Sequence, residues 1–333
     1  MDRTNTDWFH NAGWGIFTHY LSELPSIDTK TPDDWNRLID AFDVDGLARQ
    51  LADIHAGYYF ITIGQNSGFY LSPNATYDRI TGITPSKLSR RDLVADLAAA
   101  LAKRNIPLLV YFTTSAPSRE PEAIVRLQCT PPWDSNKIGI SPDMYPREVG
   151  ERTDERLTAF QRNWEAIIRE WSLRWGRSVR GWWLDGAYAF DLLYNHPDEP
   201  NIHSFRAALK AGNPDSIVAF NRGVNYIIHC HAYTGDDFIA GEMDFGLPAG
   251  GMDWRGNALW NGRFFNGAQF HLLTHLGESW GRGNSRFPAD LVAAYTRYIR
   301  GNGGVMTWDV PPMRNGLIPD SILSCLGGIG AAR

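Results

Sequence analysis

A single (β/α)8 barrel of the TIM type is the fold this sequence predicts, and three observations predict it. Eight short apolar runs alternate along the chain with segments whose apolar residues recur at helical spacing. Composition stays uniform from end to end, so one domain over residues 1–333 accounts for the chain. Its 333 residues suit one α/β barrel.

The first strand is read at residues 15–18, Gly-Ile-Phe-Thr. A helix over 44–53 leads to the second strand at 58–63. In the next helix, 91–103, Leu93, Leu97 and Leu101 recur at four-residue spacing after Ser89, the expected N-cap. The third strand at 108–112, a long helix at 155–175 and the fourth strand at 181–184 repeat the unit. A helix at 202–211 and strands at 217–220 and 238–243 follow, the sixth strand being the weakest signal of the eight. The seventh strand at 270–275, a helix at 288–300 and the eighth strand at 305–308 complete the ring. Longer segments after the strands, 20–42, 64–90, 113–155, 186–201 and 244–266, fall where a barrel builds its active-site face.

Composition narrows the function. Hydrophobic residues at 43% and charged residues at 21% allow a large core and exclude wholesale disorder. A net charge of −5 without a basic block offers nothing to neutralise a phosphate backbone, so nucleic acid is not an expected partner. No stretch reaches the ~18 consecutive apolar residues of a membrane span. Cys129, Cys230 and Cys325 are too scattered for a disulfide framework or a thiolate metal site. The first ten residues have no basic and apolar leader pattern, so a cytoplasmic location is expected. Thirteen tryptophans lean toward carbohydrate, because indole faces stack on the C–H faces of sugars. No unusually apolar helix marks an interface, which leaves the oligomeric state open.

A barrel brings strand ends together whatever their separation in sequence. Those ends carry His19 and Tyr20, Gln65 and Asn66, Tyr111 and Thr113, Asp185, Asn221 and Arg222, Glu242 and Asp244, His275, and Trp308 with Asp309. Amides, carboxylates and rings in one pocket suit a neutral polyhydroxylated ligand. Asp185 ends the apolar run Gly-Trp-Trp-Leu and precedes Gly186, which makes it the candidate nucleophile. Its competing role is to cap a strand-to-loop turn through backbone hydrogen bonds. Glycoside cleavage needs a second carboxyl group, and Glu242, between Ala240, Gly241 and Met243, is the candidate acid/base. Asp237, Asp244, Asp253 and Glu278 are its rivals. The closest metal-type spacing is His229-Cys230-His231, without a third ligand fixed by sequence. No phosphate-cradling loop or nucleophile elbow is present, and neither a cofactor nor a metal is expected.

With these positions in place, the chain resembles the α-L-fucosidases of glycoside hydrolase family 29 along nearly its whole length. Trp8-Phe9 followed by residues 15–20 is similar to that family's opening strand, whose histidine, here His19, contacts the sugar. Asp34-Trp35 falls where the family has an acidic residue and a tryptophan that reach the sugar. Residues 181–186 resemble the nucleophile strand, and Phe220-Asn221-Arg222 the strand with a sugar-site arginine. Ser279-Trp280-Gly281 and Gly303-Gly304 resemble the closing segment. The resemblance implies a retaining mechanism with Asp185 as nucleophile.

The chain is expected to be a catalytic barrel alone, without the C-terminal β-sandwich that most of these fucosidases carry, and its residues depart from the family's pattern at further places that bear on substrate. Gln65-Asn66 stands where fucosidases carry two adjacent histidines. The last strand ends in Trp308-Asp309 where the family usually has leucines and Asn, and Phe270-His271 replaces a Trp-Glu pair, which makes His271 a further candidate sugar contact. The expected function is a retaining exo-glycosidase acting on an L-fucoside or another deoxy- or galacto-configured glycoside. The alternatives are a carbohydrate-binding barrel without catalysis and a metal-dependent barrel hydrolase built on His19, His229 and His231.

Overall fold

The computed structural model describes residues 2–130, 154–223, 235–243, 247 and 262–330. Its strands are β1 (Trp14–Thr18), β2 (Tyr59–Thr62), β3 (Leu108–Thr113), β4 (Val179–Asp185), β5 (Ile217–Phe220), β6 (Glu242–Met243), the hairpin β7 (Phe264–Phe265) and β8 (Ala268–Gln269), β9 (His271–His275) and β10 (Val305–Asp309). Eight of them form one parallel sheet in the order β5-β4-β3-β2-β1-β10-β9-β6. That order is sequential around a curled, TIM-like α/β sheet, with described helices in the connections β1–β2, β2–β3, β3–β4, β4–β5 and β9–β10, as parallel strands require.

Alternation along the strands sorts the core into two layers. Phe17, Phe60, Leu109, Tyr111, Trp183, Ala219 and Leu273 share the cluster inside the sheet. Ile16, Ile61, Val110, Phe112, Trp182, Val218 and Leu272 pack in the cluster beneath the helices. Both faces are therefore apolar, which explains why the strands read as unbroken apolar runs. Among the described residues, six tryptophans serve this packing: Trp14, Trp35, Trp164, Trp171, Trp182 and Trp308 are fully buried.

Two expectations need correction. Ser89 does not cap the helix Leu93–Ala102; Asp92 does, its side chain accepting from Ala95 N. The sixth strand, expected over 238–243, is reduced to Glu242–Met243 with an isolated bridge at Phe238. Gly241 interrupts it at φ 65°, and a side chain there would collide with the His271 carbonyl.

The seam between β5 and this segment is completed by side chains. Asp237 N donates to Val218 O at 2.7 Å, Asp237 Oδ2 accepts from Val218 N at 3.0 Å, and Asp236 Oδ1 accepts from Phe220 N at 2.9 Å. Arg206 and Lys210 neutralise the buried Asp237 at 2.7 and 3.0 Å. Asp237 thus belongs to this seam and not to the cleft lining, and its claim as an acid/base rival falls. Asp244 and Asp253 lie outside the described residues, as do His229, Cys230 and His231. Cys129 and Cys325 are buried free thiols. Among the described residues no helix is long and apolar enough to cross a membrane.

Candidate active site

A cleft of about 400 Å³ opens at the C-terminal ends of the strands. Its lining includes His19 after β1, Gln65 and Asn66 after β2, Tyr111 on β3, Asp185 on β4 and Glu242 on β6. These are six of the predicted site residues, gathered from five strands.

Asp185 sits where β4 gives way to a turn. Gly186 takes φ 78°, and the turn aims its N–H at Asp185 Oδ1, 2.8 Å away. The capping role weighed for Asp185 is therefore present, but the same carboxylate also faces the cleft and takes two further donors. Tyr111 Oη donates to Oδ2 at 2.6 Å, and Asn221 Nδ2 donates to Oδ1 at 2.9 Å. Burial, and after it the charge of Asp185, push the Tyr111 phenol well above its ordinary pKa, so it stays a neutral donor. Gln65 Nε2 donates in turn to Tyr111 Oη, and Trp183 stacks on the Tyr111 ring at 5.3 Å.

Asn221 also donates to Glu242 Oε2 through the same Nδ2. The two hydrogens of one amide nitrogen diverge by about 120°, so two bonds of ordinary ~2.9 Å length hold their acceptors roughly 5 Å apart. Both carboxyl groups are only partly buried, whereas Asn221 is wholly buried. Asn221 was expected to touch substrate; at the end of β5 it points between β4 and β6 and spaces the two carboxylates instead.

Other predicted contacts are placed elsewhere, each for a reason of register or packing. Trp308 occupies an outward position on β10 and donates to Thr296 Oγ1 under a helix. His271 faces inward but at the N-terminal end of β9, where Nδ1 meets Ile239 O at 2.9 Å and Nε2 meets Thr307 Oγ1 at 2.7 Å. Asp309 faces inward at the right level but is fully buried behind His19, with Oδ1 2.7 Å from His19 Nδ1. Trp35 is a core residue, donating to Tyr70 O at 3.0 Å. Asp34, one residue earlier on the helix Pro32–Asp40, pairs with Arg37 and borders a separate hollow with Arg314. Arg222 lies over the Phe190 ring at 3.4 Å and pairs with Asp191 at 3.3 Å, outside the cleft lining. His275 turns to Gly277 O, and Glu278 is exposed beside the rim.

Sequence reading missed Glu23, Arg119, Trp183, Trp280 and Arg282, all of which line the cleft. Trp183 was legible as the inward partner of Trp182, since Asp185 two residues on must share its face. Glu23, Arg119 and Arg282 come from loops, whose path no periodicity predicts. Among the described residues, no group of three or more His, Cys, Asp or Glu is placed to hold a metal ion.

No family model matches the sequence, and no curated protein does. The fold is nevertheless that of solved glycoside hydrolases. The endo-fucoidan hydrolase MfFcnA4 from glycoside hydrolase family 107 superposes with a TM-score of 0.69 at 16% identity, covering 97% of this chain and 53% of that one. The α-L-fucosidase AlfC from Lactobacillus casei, in complex with α-L-fucose product, gives 0.63 at 13% identity over 98% of this chain and 97% of that one. Alpha-L-fucosidase isoenzyme 1 from Paenibacillus thiaminolyticus gives 0.61 at 16% identity, over 97% and 74%. This chain thus spans about half the length of the family 107 enzyme and nearly all of AlfC. At such identities the likeness is one of fold, and chemistry has to be argued from the site.

Proposed function

We propose that the protein is a retaining, exo-acting glycosidase for L-fucosides or a closely related deoxy- or galacto-configured sugar. The observation that carries this reading is the shared Asn221 amide, whose Nδ2 donates to one oxygen of Asp185 and one of Glu242; in ideal amide geometry two acceptors of one NH2 group lie about 5 Å apart. A retaining pair needs ~5–5.5 Å, and an inverting pair leaves room for a water at ~6.5–9.5 Å. Action at a chain end is carried over from the resemblance to the family 29 fucosidases. The fucose-acting enzymes that share the fold support the choice of sugar.

In the first step Asp185 Oδ2 attacks the anomeric carbon. The glycosidic C–O bond breaks, its electron pair leaves on the aglycone oxygen, and Glu242 supplies the proton. In the second step Glu242 removes a proton from water, the water oxygen bonds to the anomeric carbon, and Asp185 departs as carboxylate. Asn221 and Gly186 hold Oδ1 throughout, leaving Oδ2 with a single donor and a lone pair toward the cleft.

The test is hydrolysis of aryl α- and β-glycosides of fucose, galactose, arabinose, xylose, rhamnose and glucose by wild type and Asp185→Asn, with the product anomer followed by NMR. Release from a fucose-like glycoside with retained configuration, lost in the variant, is the expected result. Inverted product, or turnover that survives Asp185→Asn, would overturn it.

A further inference from the structure

We infer that Asp309 is a positioning residue: it fixes which nitrogen of His19 carries hydrogen and couples that choice to the loop closing the cleft. Asp309 ends β10, is fully buried, and spends both carboxylate oxygens on donors from different segments. Oδ1 lies 2.7 Å from His19 Nδ1, and Oδ2 accepts from Gly281 N at 2.6 Å. An ionised carboxylate only accepts, so the hydrogen between Asp309 and His19 sits on Nδ1. Nε2 is the nitrogen left for the cleft, which His19 lines. In the neutral ring it offers a lone pair to a ligand hydroxyl.

The ring has little freedom to do otherwise. Phe17 lies 4.4 Å from it, Tyr111 5.5 Å and Trp280 5.6 Å, centroid to centroid. Trp280 belongs to the loop that Asp309 holds through Gly281, whose φ of 63° and close approach to His19 Cβ require glycine. One carboxylate therefore sets the imidazole tautomer and docks the loop that covers it. The departure noted on the last strand, Asp309 in place of the usual Asn, acquires a role, because an Asn has one acceptor for these two donors.

The kinetic consequence rests on the glycosidase reading, but the structural one does not, and the test separates them. Two-bond 1H–15N spectra of the full-length 15N-labelled protein, with His19→Gln to assign the ring, report the tautomer. The wild type is expected to carry hydrogen on Nδ1. In Asp309→Asn the arrangement that satisfies every group gives the Asn oxygen to Gly281 N and its NH2 to His19 Nδ1. The hydrogen then moves to Nε2. Gly281 amide exchange should quicken at least ~100-fold in Asp309→Ala, in which that acceptor is missing. On the best aryl glycoside, KM is expected to rise by up to about tenfold in Asp309→Asn with kcat changing less, because the ligand hydroxyl at Nε2 must turn from donor to acceptor. A wild-type His19 protonated at Nε2, which needs no variant to detect, would overturn the inference. So would an unchanged tautomer in a folded Asp309→Asn. If wild type turns over no glycoside, the glycosidase reading fails, and the spectra still decide the role of Asp309.

Discussion

Tyr111 Oη donates to Asp185 Oδ2 at 2.6 Å from the neighbouring strand, so the proposed nucleophile is oriented by a phenol that burial keeps protonated. A hydrogen bond to a charged acceptor is worth ~1.5–3 kcal/mol. Tyr111→Phe should therefore lower kcat by roughly 10- to 100-fold, with the fold unchanged by circular dichroism. Steady-state kinetics on the best aryl glycoside check this.

Asn221 donates to both carboxylates, so Asn221→Ala takes one donor from each and removes the group that spaces them. The variant should lower kcat/KM by at least ~10-fold with the fold unchanged by circular dichroism. Wild-type kinetics in a folded Asn221→Ala would deny Asn221 the bridging role.

His271 is buried as a neutral ring, and that burial pulls its pKa from 6.5 down to about 4. The unfolded chain binds this proton more readily, so the stabilisation is complete above pH 6.5 and is lost as pH falls toward 4. A shift of this size corresponds to roughly 3 kcal/mol. Urea unfolding across pH 4–7 should show it, and His271→Leu should flatten the dependence by about one proton.

Glu165 has the opposite sign. Burial, aided by the charge of Glu199 and opposed by the Ser204 hydroxyl at 2.7 Å, raises its pKa from 4.5 to about 7. Its neutral form is favoured in the fold, so its contribution is complete below pH 4.5 and disappears as pH rises through 7. Glu165→Gln should raise Tm relative to wild type more at pH 8.5 than at pH 5. Equal shifts at both would contradict the assignment.

Asp237 closes the seam beside β5 with both carboxylate oxygens engaged. Asp237→Ala leaves Arg206 and Lys210 buried without their counter-charge, which costs about 3–5 kcal/mol. Chemical denaturation measures the loss, and because Glu242 lies on the same segment, kcat should fall as well.

How far the site was legible follows from the physics of strands. Asp185 was readable as a cleft residue because an apolar run ending in Asp-Gly puts its carboxylate at the mouth of the strand, even though the same residue also caps the turn, and Gln65, Asn66 and Tyr111 followed from strand ends alone. Trp308 and His271 misled because residue type gives neither the face nor the depth. Trp308 and Asp309 are neighbours, yet alternation sends one beneath a helix and the other inward. Asp34 and Trp35 misled because a helix in a long loop can dock anywhere that buries its apolar side.

By itself the sequence determined the α/β alternation, the positions of the strands other than the sixth, and the residues at their ends, because those are set by apolar period and turn chemistry within a few residues. Tertiary structure alone decided that Asn221 spaces two carboxylates, that Asp309 stands behind His19, and that Asp236 and Asp237 complete the seam. Each of those relationships joins segments separated in the chain, and its geometry comes from the register and curl of the sheet, which local sequence does not encode.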